Sequence, residues 1–205
     1  MIVTSPNEIE KRSMEIIERE LPFPIPAENK AVVKRVIHCT ADFDYATNLT
    51  FSEGAVEKAL DALRQGCRIV TDTQMAKAGI NKAAAAKLGV EVFCFMSDAD
   101  IAQTAKERGC TRAVASMEKA AALGGNTIFV IGNAPTALLR LRELIDEGKV
   151  TPALVVGVPV GFVNILESKA AIMETKTPFI VAKGRKGGSN VAAAIVNALL
   201  YEITR

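Results

Sequence analysis

Apolar and polar positions along this chain follow a helical period first and a strand–helix alternation afterwards. From Ser5 to Glu20, Ile9, Ile16 and Ile17 form one helical stripe. Ser5-Pro6-Asn7-Glu8 supplies an N-cap, a proline at the first helical position and a capping-box glutamate. Ser13 falls on the isoleucine stripe, which predicts a polar group facing inward. Pro22–Pro26 reads as a rigid linker. A second helix is expected from about Ala27, with Val32, Val33, Val36 and Ile37 on one face, and a third over Ser52–Gln65, stopping at Gly66.

Beyond Gly66, short apolar runs alternate with helical segments. Arg68–Val70, Val90–Met96, Thr127–Ile131, Ala153–Val156 and Phe179–Ala182 read as strands. Asn81–Leu88, Asp98–Arg108, Thr111–Leu123, Pro135–Asp146 and Gly161–Met173 read as the helices between them, and a last helix runs from about Asn190 to Ile203. This alternation predicts a parallel sheet covered on both faces. The expected architecture is α/β: a three-layer, doubly wound, mainly parallel sheet of five strands, flavodoxin-like, preceded by two N-terminal helices, in one domain over residues 1–205. Sheets of this kind bind ligands beyond the carboxyl ends of their strands. That rule nominates Asp72, Ser97, Gly132-Asn133, Gly157 and Lys183–Ser189.

Composition removes several function classes. Apolar residues make up 49% of the 205 and charged residues 23%, ordinary for a globular protein. A net charge of +2, 5% aromatics, no Trp and no basic patch interleaved with aromatics argue against a nucleic-acid partner. The N-terminus has no apolar run behind a basic start, so no signal peptide is expected. The most apolar segment, Val150–Leu166, is broken by Pro152, Gly157, Pro159, Gly161 and Asn164, so no membrane span is expected either. Cys39, Cys67, Cys94 and Cys110 form no CxxC pair and are expected to be reduced thiols in a cytoplasmic protein. One histidine and isolated cysteines argue against a protein metal site.

Three segments carry candidate chemistry. GRKGGSN, Gly184–Asn190, puts three glycines and two cations ahead of a helix, a pattern suited to an anion, with phosphate and carboxylate both open. It matches neither a Walker A loop nor GxGxxG. GNAPTALLRL, Gly132–Leu141, is ordinary helix-start chemistry. His38, the single histidine, lies on a helical wheel opposite Val32 and Val36, beside Lys34 and Arg35. Periodicity alone makes it a surface residue. Its place at a helix end, with Asp42 one turn on, also suits a general acid. No GxSxG elbow supports a nucleophile.

Taken together, SPNEIEKRSMEIIERE, VVKRVIHCTADFDYA, GNAPTALLRLRELI, PALVVGVPVGFVNILESK and GRKGGSNVAAAIVNALL, in this order and spacing, resemble the precorrin-8X methylmutase family of cobalamin biosynthesis. GVPVGFVNILESK and GRKGGSNVAAA are the most specific pieces, and the HCTADFDYA version is closer to the cobalt-dependent branch. The resemblance implies an isomerase that moves a methyl group from ring carbon 11 to carbon 12 of (cobalt-)precorrin-8, giving (cobalt-)cobyrinate or hydrogenobyrinate. It implies His38 as proton donor and acceptor, no cofactor of the protein's own, and any cobalt as part of the substrate. It also implies substrate contacts from Ser13, Arg112, Arg185, Lys186, Gly187, Gly188 and Ser189, with Asn81 standing where relatives carry a threonine. A homodimer with its sites near the subunit interface is expected. The competing readings are a non-catalytic tetrapyrrole carrier and a nucleotide-binding α/β protein.

Overall fold

The computed structural model describes residues 4–205. Residues 1–3, which fall within the signal-peptide reading and the 1–205 boundary, lie outside the described residues. The first helix, α1 (Pro6–Glu20), starts at Ser5 with Pro6 in its first turn. The capping box is not made: the Ser5 side chain caps nothing, and Glu8 instead accepts from Arg12 Nε at 2.6 Å.

α1 packs on α2 (Ala27–Thr40), and here the sequence expectation needs correction. Of the isoleucine stripe only Ile17 is buried, while Ile9 and Ile16 stay 45% and 44% exposed. Ion pairs from Glu10 to Arg35 and from Glu18 to Lys30 and Lys34 run along the seam between α1 and α2. The line that meets the core runs through Met14 and Ile17. Ser13 is half-buried rather than inward, and its hydroxyl donates to the Ile9 carbonyl at 2.7 Å.

The chain continues through α3 (Tyr45–Asn48), β1 (Leu49–Phe51), α4 (Ala55–Arg64), β2 (Arg68–Thr71), α5 (Gln74–Gly79), α6 (Lys82–Lys87) and β3 (Glu91–Phe93). Then follow α7 (Ala99–Arg108), α8 (Arg112–Ala121), β4 (Thr127–Ile131), α9 (Pro135–Asp146), β5 (Leu154–Gly157), α10 (Ile165–Met173), β6 (Phe179–Ala182) and α11 (Ser189–Thr204). Among the described residues six strands, not five, form one mixed sheet in the order β1-β6-β5-β4-β2-β3. The extra strand, β1, is an antiparallel edge that pairs Leu49 with Ala182 and Phe51 with Ile180. Three residues are too few to show an alternation, so pairing with β6 alone makes this segment a strand. α10 also begins later than Gly161. Residues 158–164 form a loop, and Asn164 takes the left-handed conformation (φ 58°) ahead of the helix.

β4, β5 and β6 are buried at every position, which explains their unbroken apolar runs. α8, α9 and α10 cover one face through Met117, Leu138, Leu141 and Ile172. α2, α4, α5, α6 and α11 cover the other through Val33, Leu63, Ala76, Ala85 and Ile195. No helix among the described residues is long and apolar enough to cross a membrane.

Candidate functional site

The chain runs from β2 outward to β3, then returns to the other side of β2 as β4. The carboxyl ends of β2 and β4 thus frame the switch point where open α/β sheets leave a crevice. Asp72, fully buried just past β2, fills part of it. Its carboxylate accepts from the backbone N–H groups of Gly132 at 2.8 Å, Asn133 at 2.8 Å and Ala134 at 2.7 Å. Burial pushes the Asp72 carboxyl up from its ordinary range, and the three N–H groups pull against that. An internal carboxylate therefore occupies the N–H groups that lead into α9, and the Gly132–Ala134 turn keeps none of the three for an external anion.

Next to this turn the start of α11 comes close. A Cβ on Gly132 would lie 2.8 Å from Ser189 Cα, so only a glycine lets the two backbones meet. The Ser189 hydroxyl pairs with that of Thr73 at 2.7 Å, and Thr73 also caps α5 by accepting from Ala76 N–H at 3.0 Å.

Gly184–Gly188 joins β6 to α11, and two elements hold it. From the loop after β5, Gly188 N–H donates to the Val158 carbonyl at 2.9 Å, and Gly161 N–H donates to the Arg185 carbonyl at 3.2 Å. From α10, the buried Lys169 ammonium donates to the carbonyls of Gly184 at 2.7 Å and Lys186 at 2.9 Å. Arg185 is exposed, with its guanidinium 5.5 Å from the centre of the Phe162 ring. Lys186 is not a free cation. Its ammonium lies 2.6 Å from both Asp42 and Asp44, which raises its pKa and holds the Asp42 carboxyl below the usual range.

That bridge reaches the segment after His38. α2 buries Val32, Val33, Val36 and Ile37, and leaves His38 exposed in its last turn, as the helical wheel predicts. The helix ends at Ala41, left-handed at φ 53°, whose N–H returns to the Ile37 carbonyl at 2.7 Å. Asp44 N–H then donates to the Asp42 carboxylate at 3.0 Å. Beside His38, the Cys39 sulfur lies 3.8 Å from the Asn190 carbonyl at the start of α11. His38, Asp42, Asp44, Lys186 and Ser189 thus share one edge of the sheet.

The other candidates stand elsewhere. Arg112 is exposed at the first position of α8, and Thr111 beside it lies 3.2 Å from Thr136 in α9. This puts Arg112 at the same carboxyl edge but over the opposite face of the sheet. Asn81 caps α6 by accepting from Ala84 N–H at 2.9 Å, and its amide donates to the Tyr201 hydroxyl at 3.0 Å. Tyr201 is twelve residues along α11 from Ser189, a helical rise of about 18 Å. Within one chain, then, Asn81 is not gathered at the edge that holds His38.

Two residues at this edge were underestimated from sequence. Asp72 was nominated by position alone, with no sign of its three N–H partners. Lys169 was missed, although a signal existed: with Ile165, Ser168 and Ile172 it falls on the buried stripe of α10, an unusual place for a lysine.

This arrangement defines an open α/β protein whose candidate ligand edge offers an exposed imidazole and a glycine turn flanked by cations. The comparisons give that class a family. The family profile for precorrin-8X methylmutase matches residues 8–202. The chain is 52% identical over 176 residues to the cobalt-precorrin-8 methylmutase of Salmonella typhimurium, covering 85% of this chain and 82% of that one. It is 44% identical over 199 residues to that of Priestia megaterium, covering 97% and 88%. The solved precorrin-8X methylmutase of Thermus thermophilus superposes with a TM-score of 0.86 at 41% identity, covering 94% of this chain and 96% of that one. The chain belongs to the precorrin-8X methylmutase family, isomerases of corrin-ring biosynthesis.

Proposed function

We propose that this protein converts cobalt-precorrin-8 to cobalt-cobyrinate, with His38 delivering a proton to the macrocycle and taking it back after the methyl group has moved from carbon 11 to carbon 12. The migration is intramolecular and the proton returns, so substrate and product are isomers and nothing else is consumed. A positioned acid, a shaped surface and anion anchors suffice for such a step, with no cofactor of the protein's own. The observation that carries the reading is the one imidazole of the chain, exposed at the end of α2 and tied through Asp42–Lys186 and Cys39–Asn190 to the glycine turn. Substrate carboxylates would take the N–H groups and cations of that turn, with Arg112 approaching from the other face. The cobalt-containing form is favoured because the relatives at 52% and 44% identity are both named for it.

The five parallel strands, counted along the chain from β2, follow the order 2-1-3-4-5, which supports a flavodoxin-like description with β1 added at the edge. A homodimer in the cytoplasm, one domain per chain, is the expected assembly. Val160, Phe162, Val163 and Leu166 in and after the loop behind β5, 47–83% exposed, favour a second copy covering this edge.

Incubating the protein with cobalt-precorrin-8 and following the absorption spectrum tests the activity and separates it from passive carriage. His38→Ala should slow the methyl shift by about two to four orders of magnitude while keeping product binding. Turnover near the wild-type rate would remove His38 from the mechanism.

A further inference from the structure

α10 places a lysine where its buried stripe calls for a hydrophobe. Lys169 is 1% exposed, between Ile165 and Ile172 on the inner face of the helix. Among the described residues it has no carboxylate partner. Its ammonium meets only the carbonyls of Gly184 and Lys186, and burial lowers its pKa to about 8. A buried cation without a counter-ion is costly, and a methionine would fill the same space without that cost. The two carbonyls are what the charge serves.

Their orientation fixes what the turn shows to the outside. The chain has no cis peptide among the described residues, and a trans peptide unit sets its C=O and N–H on opposite sides. The Gly184 and Lys186 carbonyls turn inward to Lys169, and the Arg185 carbonyl turns to Gly161 N–H. The N–H groups of the same three peptide units belong to Arg185, Lys186 and Gly187; each points away from its own carbonyl, so those of Arg185 and Gly187 face away from Lys169 and that of Lys186 faces away from Gly161. None of the three has an acceptor among the described residues. Gly188 N–H, by contrast, is used on Val158. Successive backbone N–H groups left without a protein acceptor are what an anion-binding concavity is built from.

We propose that Lys169 is a positioning residue: it holds the Gly184–Gly188 turn so that the N–H groups of Arg185, Lys186 and Gly187 receive one carboxylate of the corrinoid, while Lys169 itself never touches the substrate. The identity of the anion rests on the corrinoid reading above; the geometry of the turn does not.

Steady-state turnover of cobalt-precorrin-8 and titration with cobalt-cobyrinate should be measured for wild type and Lys169→Met. Amide hydrogen exchange at residues 185–187 of the wild type should be followed with and without cobalt-cobyrinate. In Lys169→Met, KM and the product dissociation constant should rise at least about tenfold, with kcat within about threefold, because the interaction lost is made equally by the bound substrate and the transition state. In the wild type the three amides should exchange at least about tenfold more slowly with product bound. A folded Lys169→Met protein with unchanged KM would overturn the proposal, leaving a lysine that serves only stability. Unprotected amides in a wild type that binds product would overturn it as well, and need no variant to fold. A wild type that binds product but does not turn substrate over fails the isomerase reading alone, and the amide protection still decides the role of the turn.

Discussion

Replacing Gly187 by alanine puts one carbon into space that the backbone after β5 already occupies. The new Cβ would lie 2.1 Å from the Val158 carbonyl oxygen, 2.8 Å from the Val158 carbonyl carbon and 2.9 Å from the Pro159 carbonyl oxygen. A carbon–oxygen contact relaxes at about 3.3 Å or more, so the two segments must part by roughly 1 Å. All three obstacles are backbone, and no flexible side chain can yield instead. Parting them breaks the Gly188–Val158 hydrogen bond at 2.9 Å and disturbs the Lys169–Lys186 bond, one residue back along the turn. Overpacking costs about 1–3 kcal/mol and the lost hydrogen bond about 0.5–1.5 kcal/mol, so a total of about 1.5–4.5 kcal/mol is expected. Gly184→Ala serves as the control. At φ 76° with nothing within 4 Å, it meets conformational strain and no collision. That strain is worth about 1–2 kcal/mol. Urea unfolding gives the stability of both variants, and titration with cobalt-cobyrinate gives their affinity. Gly187→Ala should unfold at distinctly lower urea than Gly184→Ala, or keep its stability by letting the turn swing out and lose affinity. Stability and affinity both matching the Gly184→Ala control would refute the steric account.

Arg185→Ala/Lys186→Ala should weaken product binding, more at low salt than at moderate salt, because the ligand is a polyanion and these cations flank the turn. Equal affinities at both salt levels would leave the glycines as turn formers. Exposed pairs contribute only about 0–1 kcal/mol each, and Lys186 is already engaged by Asp42 and Asp44, so most of the loss should come from Arg185. The Asp42 carboxyl should titrate below the usual carboxylate range, and Lys186→Ala should return it there; an NMR titration reads both. The folded-state pKa lies below the unfolded one, so the stability it lends is present above the unfolded pKa of about 4 and is lost as the pH falls. Light scattering should find a homodimer at micromolar concentration, and a species of 21.8 kDa alone would count against the interfacial site.

The local order of this molecule is written in its sequence because local order depends on neighbours in the chain. Thr127–Ile131, Pro135–Asp146 and Phe179–Ala182 are found within the predicted bounds. Their signals are an unbroken apolar run, a proline at a helix start with a glycine past its end, and a second apolar run ahead of the glycine turn. His38 is exposed where the helical period puts it. Pairings between distant segments leave no such trace. β1 is a strand only because β6 lies beside it. The rotation of α1, which takes Ser13 off the buried line, goes with Met14 and Ile17 packing on the core and with ion pairs to α2, all contacts between separate helices. Lys186 reads as a free cation in GRKGG, yet its partners stand 142 and 144 residues away. Asp72 reads as a polar strand end, and Lys169 carries no reading at all in the sequence. The fold buries both and gives them backbone partners, Asp72 the N–H groups of one turn and Lys169 the carbonyls of another. Such polar groups can be buried only where a partner waits, and where a partner waits is decided by the path of the whole chain.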